Sequence, residues 1–469
     1  MSAFSWTAES LAAATGGTIA SGGTGDSWTH VDTDTRRISA GSVFVALSGE
    51  RFNGHDFIGD AVEEGATCVV VEENRMSESL RDAGPECAVV TVSDTLTALG
   101  DLAAARRQAW SGELVGLTGS AGKTTTRALV TAALGRSGNV HSTSGNWNNR
   151  IGLPLTLFGL EDTHAYAVLE LGTSEPGEIA ELARIADARV GLITNIAPAH
   201  LAGFGSVEGV ATEKAALFES LEAAGTAVVN IDDERVRLAG ATCRGERVTF
   251  GTSKEADVRV MGTRPAGPGR TEITLEVAGT THQTTVPGMG SHMGLNVAGA
   301  LGCAMALNLD ITEALNGMAE AAMPAQRMTY REAGGFHLID DCYNSNPRSA
   351  AVALETLSER AGASRTVAVL GDMLELGDDA VEFHSELGAL AASSGVRVLV
   401  AVGAHAEDIL RGARSGGWDG CGLAAADAAE ASELLLTNLL SADWVLIKGS
   451  RGVALDRVVD AVVSGGGMH

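Results

Sequence analysis

The sequence predicts an α/β protein of three domains: a small α/β domain, a central parallel-sheet domain and a Rossmann-like domain at the carboxyl end. A chain of 469 residues is too long for one hydrophobic core, because single cores stop growing at roughly 250 to 300 residues. Short apolar runs alternate with helix-like runs, which is typical of parallel sheets covered by helices. A glycine-rich turn between a strand and a helix opens the central domain.

The predicted first domain covers residues 1–110. Apolar runs at 42–47, 67–71 and 88–92 lie between turn signals and therefore indicate strands. A polar, helix-like run at 94–110 ends the domain. These elements predict a small α/β domain.

The predicted central domain covers residues 111–323, where strand and helix patterns alternate as in parallel βαβ units. Residues 246–287 differ, because β-rich alternation and a Gly/Pro cluster predict an antiparallel extension. The predicted strands lie at 114–117, 165–169, 190–194 and 227–231, and the predicted helices at 125–134, 177–186, 207–221 and 295–307.

The predicted last domain covers residues 324–469. A second alternating series indicates a Rossmann-like sheet. We expect the linker at 322–325 to act as a hinge between the central and last domains. The predicted strands lie at 336–339, 366–370, 396–402 and 444–447.

Composition excludes several classes of function. The formal net charge of −26 repels polyanions, which argues against nucleic-acid binding and against adhesion to anionic membranes. The six cysteines form no C-x-x-C pair, so neither a zinc site nor a redox motif is indicated. The sequence shows no signal-peptide pattern and no apolar run of the roughly 20 residues that a membrane helix needs. These features predict a soluble, cytoplasmic protein.

The strongest local motif is Thr118-Gly-Ser-Ala-Gly-Lys-Thr124, between a predicted strand and a predicted helix. Backbone N–H groups and the helix N-terminus can surround phosphates, Lys123 can neutralise their oxygens, and the Thr124 hydroxyl can bind magnesium. The motif departs from the general P-loop pattern, because Leu117 occupies the position of its first glycine. An ordinary glycine-rich turn is the alternative, but the strand–turn–helix context favours a mononucleotide-binding loop.

Three further polar residues are predicted near the same edge of the sheet. Glu170 ends a strand, His200 lies in the loop after Thr194, and Lys214 lies on the next helix. Ligands of open α/β sheets bind at the carboxyl ends of strands, and magnesium prefers oxygen ligands, which suits Glu170. Each residue also has an ordinary interpretation: a solvated loop end, a capping or core histidine, and a surface lysine.

These motifs resemble those of the Mur ligase family. The loop at 118–124 resembles the family's ATP loop, which has the same glycine spacing. The similarity continues through Ser144-Gly-Asn-Trp-Asn-Asn-Arg-Ile-Gly-Leu-Pro154, Leu169-Glu-Leu-Gly-Thr-Ser-Glu-Pro-Gly-Glu-Ile179 and Asn195-Ile-Ala-Pro-Ala-His-Leu-Ala-Gly-Phe-Gly205. It spans the three predicted domains in the family's order.

The resemblance implies an ATP-dependent amide ligase with two magnesium sites. Thr124 and Glu170 are implied to bind one ion, while Glu170, His200 and a carbamylated Lys214 bind the other. Carbamylation would turn a cationic side chain into an anion that magnesium accepts. The implied catalytic residues are Lys123, Glu170, His200 and Lys214. The implied nucleotide contacts are Thr118, Gly119, Ser120, Ala121, Gly122, Lys123, Thr124, Thr125, Asn296, Arg327 and Asp341.

The first and last domains supply the implied substrate contacts. Residues 34–47 and 49–57 resemble UDP-binding segments, and Asp341-Cys-Tyr-Asn-Ser-Asn-Pro347, Gly371-Asp-Met-Leu-Glu-Leu-Gly377 and Lys448-Gly-Ser-Arg451 resemble members that add D-alanyl-D-alanine. The implied reaction joins D-alanyl-D-alanine to the terminal carboxylate of UDP-N-acetylmuramoyl tripeptide through an acyl phosphate, in a monomer. The implied substrate contacts are Thr35, Arg36, Asn53, Gly54, His55, Asn146, Asn149, Asn344 and Asn346.

Three alternatives stay open from the sequence. The sibling ligase that adds a diamino acid shares the loop and the metal ligands, but its Asp-Asn-Pro-Arg signature is absent here. Folylpolyglutamate synthase lacks this kind of first domain. A nucleotide-sensing module would explain the glycine-rich loop alone and leaves Glu170, His200 and Lys214 without a role. Whether the third peptide residue is diaminopimelate or lysine is left open.

Overall fold

The computed structural model describes residues 4–22, 26–49 and 52–465. Glu50 and Arg51, which belong to one segment that resembles UDP-binding sequences, lie outside the described residues. Internal contacts divide the chain into two compact units. The first unit comprises Met1–Gly116, Gly138–Thr173 and Glu178–Arg189, and the second comprises Leu117–Ser137, Ser174–Gly177 and Val190–His469.

The amino-terminal part of the first unit is built on a five-stranded sheet. Its elements are α1 (Ala8–Thr15), β1 (Thr18–Ser21), β2 (His30–Asp32), β3 (Ser42–Val45), α2 (Ile58–Glu63), β4 (Ala66–Glu72), α3 (Met76–Ala83), β5 (Ala88–Val92) and α4 (Thr95–Gln108). The strand order is β1-β5-β4-β3-β2, and only β1 pairs in antiparallel fashion. β3 and β5 are buried throughout, so they appear in the sequence as continuous apolar runs. The predicted strands and the predicted helix of this part are confirmed.

Strands and helices then alternate, as predicted. The elements are β6 (Glu113–Thr118), α5 (Lys123–Leu134), β7 (Val140–Ser142), α6 (Gly152–Phe158), β8 (Tyr166–Glu170), α7 (Glu178–Ala186), β9 (Val190–Ile193), α8 (Leu201–Phe204), α9 (Val207–Glu219), β10 (Thr226–Asn230) and α10 (Glu234–Gly240). Within the first unit β7 pairs in parallel with β8, and within the second unit β9 pairs in parallel with β10. These pairings confirm a parallel central sheet.

The antiparallel extension predicted for residues 246–287 is confirmed for 258–287, whereas 246–251 form a parallel strand of the sheet. Its elements are β11 (Glu246–Gly251), β12 (Val258–Pro265), β13 (Arg270–Val277) and β14 (Thr280–Pro287), followed by α11 (Met293–Ala306) and α12 (Ile311–Ala319). β10, β11 and β12 pair in parallel, and β12, β13 and β14 form an antiparallel meander. Helix α12 was not predicted, because its short run contains Asn316 and Gly317, which weaken the helical pattern.

The last part of the second unit has a six-stranded sheet between two helix layers. Its elements are β15 (Thr329–Ala333), β16 (Phe336–Asp341), α13 (Pro347–Ala361), β17 (Thr366–Gly371), α14 (Ala380–Ser393), β18 (Val398–Val402), α15 (Ala406–Ser415), β19 (Cys421–Ala425), α16 (Ala428–Asn438), β20 (Trp444–Lys448) and α17 (Asp456–Gly465). The order is β15-β16-β20-β17-β18-β19, with only β15 antiparallel. Edge strands β15 and β19 were not predicted, because exposed and intermediate positions interrupt their apolar pattern.

Candidate active site

The glycine-rich loop joins β6 to α5, and its two glycines are required by space and backbone conformation. Gly119 has a φ of +150°, and a Cβ atom there would lie 1.9 Å from the Thr194 hydroxyl oxygen. Gly122 precedes α5 with a φ of +81°, and a Cβ there would lie 3.0 Å from Asn296 Oδ1. Both positions therefore favour glycine, and the loop passes close to two polar side chains.

The loop is held by residues that follow β9. The amide N–H of Ala121 donates to Asn195 Oδ1 over 3.0 Å, and Asn195 Nδ2 donates to the Ala121 carbonyl over 2.9 Å. The Thr194 hydroxyl donates to the same carbonyl over 2.6 Å. The Ser120 hydroxyl both donates to and accepts from the backbone of Ala197. Sequence reasoning missed Thr194 and Asn195, although their place directly after a strand in the ligand-binding region was a usable signal.

Lys123 and Thr124 form the first turn of α5. Lys123 Nζ donates to the Gly119 carbonyl over 2.7 Å, so the side chain folds back over the loop. Thr124 is buried, and Thr125 follows in the same turn. The first N–H groups of a helix lack intrahelical acceptors, and the helix dipole favours negative charge at this end. The arrangement suits a bound phosphate group.

Lys214 lies on α9 and is almost completely buried. Burial, together with the charge of Lys123, lowers the pKa of Lys214 to about 7, although Glu213 opposes the shift. A large part of the Lys214 population is therefore neutral near physiological pH. A neutral buried amine is unusual for a structural lysine and typical of a reactive one.

His200 is the residue before α8 and has a left-handed backbone with φ of +52°. Burial lowers the pKa of His200, and the charges of Lys123 and Lys214 act in the same direction, while Glu375 opposes them. Of the predicted catalytic residues, Lys123, His200 and Lys214 all lie in the second unit, near enough for the charge of Lys123 to affect the pKa of the other two. Glu375 was not predicted as a site residue.

Glu170 belongs to the first unit and ends β8, as predicted. Only 2% of Glu170 is exposed, and Asn148 Nδ2 donates to its Oε1 over 2.9 Å. The Glu170 backbone N–H donates to the Thr143 hydroxyl over 3.0 Å. Asn148 is thus a site residue that sequence reasoning missed in favour of its neighbours. Buried carboxylates need such partners, so Glu170 is held in a defined orientation.

Asn296 lies on α11 and is mostly buried against the start of α5. The Thr126 hydroxyl donates to Asn296 Oδ1 over 3.4 Å, next to Gly122. Asn296 Nδ2 points to the sulfur of Met293 over 3.8 Å. The predicted adenine-side asparagine therefore lies beside the glycine-rich loop.

Asp341 and Arg327 make contacts within the last domain. Asp341 Oδ2 accepts from Lys448 Nζ over 2.7 Å, and its Oδ1 accepts from the Met328 N–H over 3.1 Å. Burial raises the pKa of Asp341, although Lys448 opposes the shift. The Arg327 guanidinium lies over the Tyr343 ring at 4.2 Å. Both predicted nucleotide contacts stay predictions.

Asn346 joins the last domain to the glycine-rich loop. Its Oδ1 accepts from the Ser349 N–H and so caps α13, while its Nδ2 donates to the Ser120 carbonyl over 3.1 Å. Asn344 Oδ1 accepts from the Ser345 N–H, and the Asn344 carbonyl accepts from Lys448. The polar groups named here have contacts within the protein, and the predicted substrate roles of Asn344 and Asn346 stay predictions.

In the first unit, Asn53, Gly54 and His55 form an internally bonded turn. His55 Nε2 accepts from the Glu72 N–H over 2.9 Å, so Nδ1 carries the proton and donates to Asn53 Oδ1 over 2.8 Å. Burial lowers the pKa of His55, in keeping with a neutral ring. A Cβ at Gly54 would lie 2.7 Å from the Leu47 nitrogen. These residues shape the turn.

The other predicted substrate residues of the first unit lie at helix starts or on exposed turns. Asn149 Oδ1 accepts from the Gly152 N–H at the start of α6. Asn146 is exposed in the preceding turn. Thr35 and Arg36 lie in a single 3-10 turn, and Arg36 pairs with Asp34 at the surface. Their substrate roles stay predictions.

Among the described residues, no three or more His, Cys, Asp or Glu side chains form a cluster suited to a metal ion. The predicted metal ligands include a hydroxyl group and a modified lysine, which such a cluster does not contain. Among residues 4–22, 26–49 and 52–465, no helix has the length and apolar character of a membrane span.

A parallel α/β sheet with a glycine-rich loop at a helix start, together with a buried lysine whose pKa is lowered by burial and by the charge of Lys123, is typical of a protein that holds nucleotide phosphates. Family models for the Mur ligases match most of the chain. Residues 27–107 match "Mur ligase family, catalytic domain", residues 117–304 match "Mur ligase middle domain", and residues 326–451 match "Mur ligase, glutamate ligase domain". The chain belongs to the Mur ligase family.

Individual relatives match most of this chain and most of their own length. The UDP-N-acetylmuramoyl-tripeptide–D-alanyl-D-alanine ligase of Escherichia coli is 35% identical over 448 residues, which are 93% of this chain and 94% of the relative. A crystal structure of MurF from Acinetobacter baumannii, 30% identical, superposes with a TM-score of 0.89 over 98% of this chain and 99% of that one. MurF ligase from Thermotoga maritima in complex with ADP is 27% identical, with a TM-score of 0.83 over 93% and 98%.

Proposed function

We propose that the protein is an ATP-dependent ligase that joins D-alanyl-D-alanine to the terminal carboxylate of UDP-N-acetylmuramoyl tripeptide in peptidoglycan precursor synthesis. The observation that carries this proposal is the full-length similarity to ligases of that name, at 35% identity over 93% of this chain. The site chemistry fits, because it combines a phosphate-binding helix start with a buried lysine.

The glycine-rich loop is proposed to bind ATP. The A. baumannii and T. maritima proteins are called MurF, and the second was solved with ADP. In this chain the first turn of α5 offers N–H groups to the phosphates, and Lys123 offers a positive charge. Asn296 beside Gly122 is proposed to contact the adenine side, and Arg327 and Asp341 to complete the nucleotide site.

Lys214 is proposed to be carbamylated. Its neutral amine would add to carbon dioxide, forming a C–N bond and releasing one proton, which leaves a carbamate anion. The fit rests on three observations: the side chain is buried, its pKa is lowered to about 7, and the positive charge of Lys123 lies near enough to favour an anion. An ordinary ammonium at this position would be repelled by Lys123.

Thr124, Glu170, His200 and the carbamylated Lys214 are proposed to hold two magnesium ions. Oxygen ligands suit magnesium, and Thr124 and Glu170 supply them, while carbamylation adds another. Bound magnesium would offset the negative charge of the transferring phosphoryl group. The buried position of Glu170 and its hydrogen bond from Asn148 keep the carboxylate in one orientation, as a metal ligand requires.

The reaction is proposed to proceed through an acyl phosphate. The terminal carboxylate of the tripeptide attacks the γ-phosphorus of ATP and releases ADP; the α-amine of D-alanyl-D-alanine then attacks the acyl carbon, loses a proton and releases phosphate. Lys123 stabilises the charge on the phosphoryl oxygens. No protein nucleophile takes part, so most of the acceleration comes from positioning and electrostatics.

The three predicted domains receive separate roles. Residues 1–110 are proposed to bind the UDP-sugar, residues 111–323 to bind ATP, and residues 324–469 to help hold the dipeptide and close over the nucleotide. We propose that the protein acts in the cytoplasm, where ATP and UDP-linked precursors are available. We propose that it acts as a monomer.

One assay tests this function. Phosphate release is measured with ATP, magnesium and UDP-N-acetylmuramoyl tripeptide, with D-alanyl-D-alanine as the acceptor, and in parallel with UDP-N-acetylmuramoyl dipeptide and free diamino acids. We expect stoichiometric phosphate only with the tripeptide and D-alanyl-D-alanine. Activity with dipeptide and a diamino acid instead would favour the sibling ligase, and phosphate release with neither pair would favour a nucleotide-binding module.

A further inference from the structure

His200 contacts a side chain that comes 175 residues later in the chain. Its Nδ1 lies within hydrogen-bond distance of Glu375 Oε2, in the loop after β17. An ionised carboxylate can only accept, so Nδ1 carries the proton and donates it, which leaves the lone pair on Nε2 for another partner. The side chains are 28% and 58% exposed, and exposed ion pairs add little stability. The contact therefore matters mainly for orientation.

The backbone on both sides of this contact is unusual. His200 and Glu375 have φ values of +52° and +64°, in the left-handed region that residues other than glycine rarely adopt. The Ala202 N–H donates to the Glu375 carbonyl over 3.2 Å, and a Cβ atom added at Gly377 would lie 3.6 Å from the Ala202 nitrogen. A left-handed backbone at residues other than glycine persists only where the surrounding structure maintains it. The packing of these two segments is therefore a specific feature of the fold.

A second contact between the central and last domains has a different character. Met289 is fully buried in the apolar core of the last domain, beneath α13. Arg360 on α13 donates to the Gly267 carbonyl over 3.1 Å. Extracting a buried methionine is more costly than separating an exposed polar pair. The Met289 contact is thus suited to hold the two domains together permanently. The His200–Glu375 contact is suited to form and break as the domains move.

We propose that Glu375 is a positioning residue through which docking of the last domain orients His200. The inference rests on the proposed function, in which His200 binds magnesium. Glu375 acts through the His200 ring: by accepting the hydrogen bond from Nδ1–H it fixes the tautomer, so that Nε2 would be the nitrogen available to a metal ion. The metal site is then complete only while the last domain is docked, which couples domain closure to catalysis.

The test compares Glu375→Gly with Glu375→Gln. Glycine suits the positive φ and removes the carboxylate, whereas glutamine keeps an oxygen that accepts from Nδ1. Mn²⁺ binding to the ADP complex is measured by electron paramagnetic resonance, and kcat and KM are measured in the ligase assay. We expect Glu375→Gly to weaken Mn²⁺ binding about tenfold and to lower kcat about tenfold, while KM for the UDP-peptide stays within twofold of the wild-type value. Glu375→Gln should keep most of the wild-type Mn²⁺ affinity and most of the wild-type kcat.

The control is Glu386→Ala, which removes an exposed carboxylate from α14 and should match the wild type. Wild-type Mn²⁺ affinity in Glu375→Gly, or equal losses in the glycine and glutamine variants, overturns the positioning role. If the wild-type enzyme releases no phosphate with the tripeptide and D-alanyl-D-alanine, the proposed function fails. The Mn²⁺ titration would still decide whether Glu375 supports the metal site.

Discussion

The glycine-rich loop at 118–124 and the turn at 53–55 both resemble family motifs, yet their polar groups are used differently. In the loop, Thr194 and Asn195 hold the backbone from outside the motif, and Lys123 lies over the loop at the start of a helix. In the turn, His55 and Asn53 bond to each other and to the backbone. We therefore expect the polar groups of the loop to contact a ligand and those of the turn to maintain the fold.

The largest expected effect is that of Lys123→Ala. Removing the charge from the phosphate site should lower kcat by about 10³-fold, as for a lost transition-state donor, while the thermal midpoint stays near the wild-type value. Steady-state kinetics and a thermal unfolding scan measure the two. Lys254→Ala, which removes an exposed lysine, is the matched control. A Lys123→Ala enzyme with intact kcat but a much lower midpoint would make the loop lysine a structural residue.

Lys214→Met should also impair turnover severely, by about 10²-fold, because the carbamate ligand is lost. The native pKa of about 7 lies below the ordinary value of 10.5, so between about pH 7 and 10.5 the unfolded chain binds more protons. Stability of the unmodified wild type should therefore rise with pH across this window, and Lys214→Met should lose that slope.

Denaturant titrations at several pH values, with carbon dioxide excluded, measure the slope. Wild-type kcat should fall when carbon dioxide is removed, whereas that of Lys214→Met should not respond. Full turnover by Lys214→Met would rule out the proposed ligand role.

Gly119→Ala should damage the loop shape. The new Cβ would lie 1.9 Å from the Thr194 hydroxyl oxygen at a φ unsuited to alanine, so we expect a loss of roughly 1 to 3 kcal/mol in unfolding free energy and at least tenfold weaker ADP binding. Calorimetry and denaturant unfolding check these values. Gly59→Ala, which meets open space on α2, should cost nothing. Unchanged ADP affinity in Gly119→Ala would mean that the loop tolerates reshaping.

The smallest expected effect on turnover is that of His55→Ala. It leaves the partly buried Glu72 N–H without its side-chain acceptor, so unfolding free energy should fall by about 1 to 3 kcal/mol while kcat changes less than twofold. Asn53→Asp keeps an oxygen that accepts from His55 and should be nearly neutral. A His55→Ala variant of normal stability with a strongly raised KM for the UDP-peptide would reverse the comparison and make His55 a ligand contact.

Much of the fold followed from local patterns. The continuous apolar runs of β3, β5 and β17 predicted buried parallel strands, and the glycine spacing before Lys123 predicted a strand, a turn and a helix. Edge strands β15 and β19 escaped prediction because partly exposed positions break such patterns. The local sequence pattern predicts strands well where every position of the strand is buried, and poorly in the edge strands of a sheet.

For the candidate site, too, some features could be predicted from the sequence and others required the tertiary structure. The sequence alone predicted a phosphate-binding loop from its strand–turn–helix pattern, and the family resemblance implied catalytic roles for Lys123, Glu170, His200 and Lys214. Only the tertiary structure decided that Asn195 holds the loop, that Lys214 is buried enough to lose its proton near neutral pH, and that Glu375 meets His200. The physical reason is that burial and hydrogen bonding depend on residues far apart in the chain, and a local pattern contains no information about which of them meet.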